Sequence, residues 1–155
     1  MDSTPSFITG PMTPLDLSSL RSAIGQGEEA LAYCRSDPAL ADPRLALHLR
    51  AGAIQAFEFT YELAIKTLKR FLEATEPTPG AVDAMSFNEL IRRGSEAGLL
   101  RAQLIEWKGF RRDRGTTSHT YDEAKARAIF AAIPAFLAEA AFLLDEITHR
   151  QERAS

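Results

Sequence analysis

Cysteine is nearly absent. Cys34 stands alone among 155 residues, so no intramolecular disulfide and no cysteine-cluster metal site can be built. Histidine is scarce as well: the three are His48, His119 and His149, none in an HExxH-type spacing, and no metal is expected. No Gly-rich phosphate loop and no internal repeat occurs, and no cofactor is expected. A surplus of positive charge is also missing. Lys and Arg number 18 against 21 Asp and Glu, giving −3 and a pI near 5.6, which argues against a protein that coats nucleic acid without regard to sequence. The most apolar stretch, Ala128 to Leu144, is interrupted by Pro134 and Glu139 and is short for a bilayer span of about 20 residues. Residues 1–13 lack the basic and apolar regions of a secretory signal. A soluble, cytoplasmic protein with no membrane contact is therefore expected.

What is present is 45% hydrophobic residues, enough for the core of one domain. Residues 1–12, with Pro5, Gly10 and Pro11, read as a flexible tail; residues 13–150 read as a helical domain and 151–155 as a second tail. Thr13 followed by Pro14 and Asp16 predicts a first helix, with the stripe Leu17, Leu20, Ile24, Gly27, Leu31 and Cys34. Gly27 on that stripe would let another helix approach closely. Asp37-Pro38 and Asp42-Pro43 bracket a predicted loop, after which Asp42 caps a long helix reaching about Ala74. The main stripe of this helix is Leu47, Ile54, Phe57, Tyr61, Ala64, Leu68 and Phe71. On its polar face Glu58, Glu62, Lys66 and Arg70 recur every four residues; a solvated row with a Glu62–Lys66 pair is the bland meaning, and the expected one for Lys66 and Arg70. Ser86 and Glu89 form a capping box for a third helix ending near Gly98. A short helical piece from Gln103 to Arg112 and a polar loop from Asp113 to His119 follow. Thr120 and Glu123 suggest a second capping box for the last helix, whose stripe is Ile129, Ile133, Phe136, Ala140, Leu143 and Ile147. Pro134 should kink it. The sum is an all-α, antiparallel up-and-down four-helix bundle with a short extra helix before the last one. Its surplus apolar faces predict a homodimer or a protein partner.

The charge is uneven. Between Arg101 and Arg127 seven basic residues face four acidic ones, a local +3, which leaves −6 for the remainder of the chain. Such a site suits contact with a few phosphates of an RNA substrate. Within it lie Arg114, His119 and Tyr121, flanked by Lys108, Arg111 and Arg112 as candidate phosphate contacts. Arg clamps a phosphate and stays charged. His exchanges protons near neutral pH. These are the parts needed to cleave RNA without metal. By spacing alone, however, a surface loop with His119 near a helix start is the commoner meaning of such a triplet. Trp107 reads as a packing residue.

The segment Phe57-Glu58-Phe59-Thr60-Tyr61-Glu62-Leu63-Ala64-Ile65-Lys66-Thr67-Leu68 resembles the signature helix of the nucleotidyltransferase substrate-binding family, HEPN-domain (HepT-like) proteins encoded beside a minimal nucleotidyltransferase. Asp113 to Glu123 resembles the second signature, and Glu96 to Leu100 ahead of Trp107 is also similar; the likeness spans about residues 14 to 148. It implies a dimeric four-helix bundle and a toxin–antitoxin pair in which the partner nucleotidyltransferase neutralises a ribonuclease. Arg114 and His119 would be the catalytic Arg-x4-His pair, and Tyr121 a positioning residue or the target of adenylylation. One departure stands out: family members commonly carry a polar residue, often Asn, after the Arg, and here it is Gly115. Two readings follow, a metal-independent endoribonuclease toxin or a non-catalytic substrate-binding subunit of a two-component nucleotidyltransferase. A purely structural helical dimer is the weakest third, because it leaves the basic loop without a purpose.

Overall fold

A computed structural model describes residues 14–78 and 80–154. Among them there are seven α-helices, one 3-10 turn and no strand. They are α1 (Ser18–Cys34), α2 (Asp37–Ala41), α3 (Pro43–Thr75), α4 (Gly80–Asp83), α5 (Phe87–Glu96), α6 (Leu104–Gly115) and α7 (Glu123–Ala154), with the 3-10 turn Thr117–His119 between the last two.

Five of these helices fill the four positions of the expected up-and-down bundle. Gly27 of α1 meets Leu137 of α7, while Leu15 ahead of α1 donates its N–H to Gln151 near the end of α7, so the two run antiparallel. Arg50 with Glu123 and Phe57 with Phe136 set α3 parallel to α7. Trp107 with Tyr61 and Arg114 with Glu58 set α6 antiparallel to α3. The fourth position of the bundle is thus shared between α5 and α6, and the predicted extra helix is the one that carries Arg114.

The stripes become the core because burial of apolar area is the main driving force available to a disulfide-free chain. Ile129, Ile133, Phe136, Ala140, Leu143 and Ile147 are buried on α7, as are Ile54, Phe57, Tyr61, Ala64, Leu68 and Phe71 on α3. Leu47, placed on the same stripe by its spacing, is instead exposed. Phe57, Tyr61, Trp107 and Phe110 all have ring contacts with Phe136, at centroid separations from 5.2 to 5.8 Å. A Cβ on Gly27 would stand 3.0 Å from Leu137, so the close approach expected at this glycine is real. Gly98, at φ +76, ends α5 with the Leu99 N–H donating to the Gly94 carbonyl and the Gly98 N–H to Ser95, a Schellman closure.

Several boundaries differ from expectation for physical reasons. The Thr13 cap lies outside the described residues; α1 begins at Ser18, and Asp16 accepts from both the N–H and the hydroxyl of Ser18. The predicted loop between the two Asp-Pro pairs contains α2, because Pro38 sits in its first turn and presets the helical φ. α6 runs three residues past Arg112, making Arg114 a helical rather than a loop residue. Asp122, not Thr120, caps α7 by accepting from the N–H groups of Ala124 and Lys125. α7 is one helix through Pro134, whose ring lies on an exposed side, and it continues through residues 151–154, where a tail was expected. At 32 residues α7 is long and apolar enough to cross a membrane by length and composition, yet its apolar stripe is the centre of the bundle.

Candidate active site

The candidate site is built where the end of α6, the 3-10 turn and the start of α7 meet α3. α6 is anchored at its other end. Glu139, in the midst of the α7 stripe, is buried and accepts from the backbone N–H groups of Arg101 and Ala102 and from Trp107 Nε1 at 2.9 Å. A buried carboxylate is tolerated when its lone pairs are filled in this way. The Gln103 N–H donates to Glu106, which fixes the first turn of α6. Trp107 then packs against Tyr61 and Phe136, and that contact sets the depth and rotation of the helix carrying Lys108, Arg111, Arg112 and Arg114. The sequence reading of Trp107 as a packing residue holds, whereas Glu139 read only as an interruption.

Arg114 lies in the last turn of α6, half-buried, and reaches across to α3. Its Nη1 is 3.3 Å from Glu58 Oε2, and its Nη2 donates to Glu62 Oε1. Its Nε is covered without a hydrogen-bond partner among the described residues. The hydrogen bond that Arg114 donates to Glu62, helped by the charge of Glu58 and opposed by burial, pushes the guanidinium pKa up, so the cation is held firmly charged. The polar row of α3 is therefore not simply solvated: its first two members receive Arg114. Two acidic residues one turn apart on the helix facing a basic segment were the available signal.

His119 ends the 3-10 turn, and its Nδ1 lies 3.4 Å from the hydroxyl of Tyr121. The two rings meet edge to face at 5.9 Å. Tyr121 is 83% exposed, so its hydroxyl is open to a partner. The turn is stitched by the hydroxyls of Thr116 and Thr117, which donate to the carbonyls of Asp113 and Arg114. Beyond it Thr120 lines a groove with Leu47, Arg50, Ala51 and Ile54, and Arg50 grips Glu123 through two hydrogen bonds of 2.9 and 2.8 Å. Arg114 thus lies against α3, and His119, five residues on, is carried by the 3-10 turn that also packs against α3; no direct hydrogen bond joins the two among the described residues.

The flanking cations are spread differently. Lys108, Arg111 and Arg112 are exposed on α6; Arg111 stacks 4.7 Å over the Phe87 ring and Arg112 lies 3.7 Å from its neighbour Asp113. Burial is the main cause that raises the Asp113 carboxyl pKa, opposed by Arg112. Gly115 closes α6 without a positive φ, and a Cβ there would meet nothing within 4 Å. A side chain at 115 therefore fits, and the backbone there does not require glycine. Among the described residues no group of three or more side chains could hold a metal ion.

Tyr61, under Arg114 and inside the aromatic cluster, is pushed up to about 12 by burial, against the opposing pull of Arg111 and Arg114. Folding therefore protects its proton. Between the ordinary tyrosine value near ~10 and about 12, the folded state binds more protons than the unfolded one, so stability falls as pH rises through that window. A spectrophotometric titration at 295 nm is expected to show one of the three tyrosines ionising late and together with unfolding, and Tyr61→Phe should remove that late step.

Comparison with known proteins agrees with this architecture. Residues 15–149 match the family described as "Nucleotidyltransferase substrate binding protein like". A Haemophilus influenzae protein named "Probable ribonuclease HepT" is 40% identical over 104 residues, covering 67% of this chain and 70% of its own. A solved Haemophilus influenzae structure, described as revealing the fold of a substrate-binding domain of a nucleotidyltransferase, superimposes with a TM-score of 0.80 at 33% identity, over 86% of this chain and 99% of its own. With a bundle of the same shape and a family match across nearly its whole length, this chain belongs to the HepT-like nucleotidyltransferase substrate-binding family.

Proposed function

We propose that the protein is a metal-independent endoribonuclease, the toxin of a toxin–antitoxin pair whose antitoxin is a minimal nucleotidyltransferase. The observation that supports this reading is a firmly charged Arg114 held against α3 with a half-buried His119 five residues on, in a relative of a protein named "Probable ribonuclease HepT". Arg114 stabilises charge developing on phosphorus, and His119 moves the proton. Lys108, Arg111 and Arg112 extend the positive edge toward neighbouring phosphates. The protein works in the cytoplasm, as a homodimer that brings two such sites together, and needs no cofactor. The exposed Tyr121, in contact with His119, is where the partner attaches adenylate; an anionic nucleotide there covers the imidazole and screens Arg114.

The test is cleavage of RNA by the purified protein, with and without EDTA. Wild type should cut equally in both, and His119→Ala should lower the rate about 10²- to 10⁴-fold, the range of general acid–base catalysis. Equal rates for wild type and this variant would refute the assignment. Gly115→Asn should fold as well as wild type, since the space is open, and should cleave faster if an amide at this position orients substrate.

A second reading, a non-catalytic subunit that presents substrate to the nucleotidyltransferase, is favoured by one observation: Arg114 already has two carboxylate partners. It predicts complex formation with the partner but neither cleavage nor growth arrest.

A further inference from the structure

The two carboxylates on Arg114 have no role yet in the ribonuclease reading. If Arg114 only bound phosphate, Glu58 and Glu62 beside it would repel the substrate. They are not equivalent. Glu62 is the hydrogen-bonded partner of Nη2 and gives the largest push to the guanidinium pKa. Glu58 approaches Nη1 at 3.3 Å through Oε2 alone. It also lies one helical turn nearer the N-terminal half of α3, where residues 47–54 share a groove with Thr120, next to His119. Both carboxylates open onto a second groove of about 530 Å³ between α1 and α3, lined also by Gln26, Gly52, Gln55 and Phe59. Phe59 is 58% exposed and the amides of Gln26 and Gln55 are polar, so a nucleotide has room and contacts there.

Resting on the ribonuclease reading, we infer that Glu58 is a further catalytic residue, the general base for the RNA 2′-hydroxyl, with His119 as the acid and Glu62 as the positioning residue that holds Arg114 between them. Glu58 takes the 2′-hydroxyl proton. The 2′-oxygen forms a bond to phosphorus while the bond from phosphorus to the 5′-oxygen breaks, and the departing 5′-oxygen takes its proton from the His119 imidazolium. The products are a 2′,3′-cyclic phosphate and a 5′-hydroxyl, and exchange with water restores both groups. Arg114 neutralises the added negative charge on the non-bridging oxygens. The carboxylates then serve the reaction instead of opposing it: one accepts a proton, the other aims the cation. The charged group set against Glu58 is Arg114 from α6, and Glu62, one turn on along α3, shares the same guanidinium; Arg111 of α6 and Arg114 both act on the neighbouring Tyr61.

Glu58→Gln, Glu58→Asp and Glu62→Gln are compared with wild type in the full-length protein. The measurements are thermal melting, binding to an RNA carrying 2′-deoxyribose at the cut position, and the pH profile of cleavage. Glu58→Gln should melt as wild type does, bind the uncleavable RNA at least as tightly, and cut about 10²- to 10⁴-fold more slowly. It should also lose the acidic limb of the profile, which Glu58→Asp should retain with partial activity. Glu62→Gln should keep the acidic limb and weaken RNA binding. If wild type cleaves and Glu58→Gln cleaves as fast, or keeps the acidic limb, Glu58 is not the base and the ribonuclease reading stands. If wild type itself does not cleave, the ribonuclease reading falls and the base assignment falls with it.

Discussion

Glu139→Ala should be the most damaging single change in the bundle, costing about 3–5 kcal/mol. Three donors converge on this carboxylate: the N–H groups of Arg101 and Ala102 and the indole N–H of Trp107. Truncation leaves all three without an acceptor, and water must enter the core to reach them. An orphaned buried donor costs about 1–3 kcal/mol, more when its partner was charged. For a domain whose total stability is of order 5–15 kcal/mol, the loss would be large. Glu139→Gln should cost distinctly less, because its amide oxygen still accepts while its NH₂ opposes only part of the network. Denaturant melts monitored by Trp107 fluorescence give both numbers. A loss below about 1 kcal/mol for the alanine variant would mean that the network is not what anchors the Leu99–Gln103 turn and, with it, α6.

This carboxylate also marks the limit of what the chain discloses before it folds. Periodicity places the stripes of α1, α3 and α7 correctly because each is long and its spacing repeats over many turns. Caps with their own hydrogen bonds, at Asp42 and Ser86, are equally readable. The close approach at Gly27 follows from a small residue on an apolar stripe. What periodicity cannot show is tertiary pairing. Glu139 interrupts an apolar run, and only the placement of α6 across it supplies its donors. Glu62 has only Lys66 as a visible local partner until Arg114 arrives from 52 positions along the chain. Thr60, fully buried, donates to the Ala56 carbonyl and lies 3.3 Å from that of Ala23, a link between helices that no local pattern announces. Short helices fare worst: α2 and the end of α6 depend on one cap or one turn, so their limits move with a single hydrogen bond. The residues of the candidate site were legible through resemblance, since Arg114, His119 and Tyr121 sit in a recognisable segment. Their electrostatic setting was not, because it is made by α3.

Arg114→Ala should separate activity from stability more sharply than any other change. Its ion pairs with Glu58 and Glu62 lie at the surface, with the guanidinium 29% exposed and the two carboxylates 39% and 55%. Such pairs are screened and contribute about 0–1 kcal/mol, and the loss adds only the mutual repulsion of two carboxylates one turn apart on a helix, a few tenths of a kcal/mol more. The melting temperature should therefore shift by a few degrees at most. Cleavage should fall about 10²- to 10³-fold, the cost of removing one preorganised donor from a developing oxyanion. Arg114→Lys tests the geometry. A lysine keeps the charge but has no planar fork with which to hold Glu62 on one side and face a phosphate on the other. It should recover stability fully and activity only in small part. Raising the salt concentration should weaken RNA binding by wild type more steeply than by Arg114→Ala, since one phosphate contact is gone. If Arg114→Lys cleaved as well as wild type, charge alone would suffice and the two-sided grip on the guanidinium would have no catalytic purpose. If Arg114→Ala unfolded the protein, the contacts to α3 would be structural in the first place, and Arg114 would join Trp107 and Glu139 as a strut of α6.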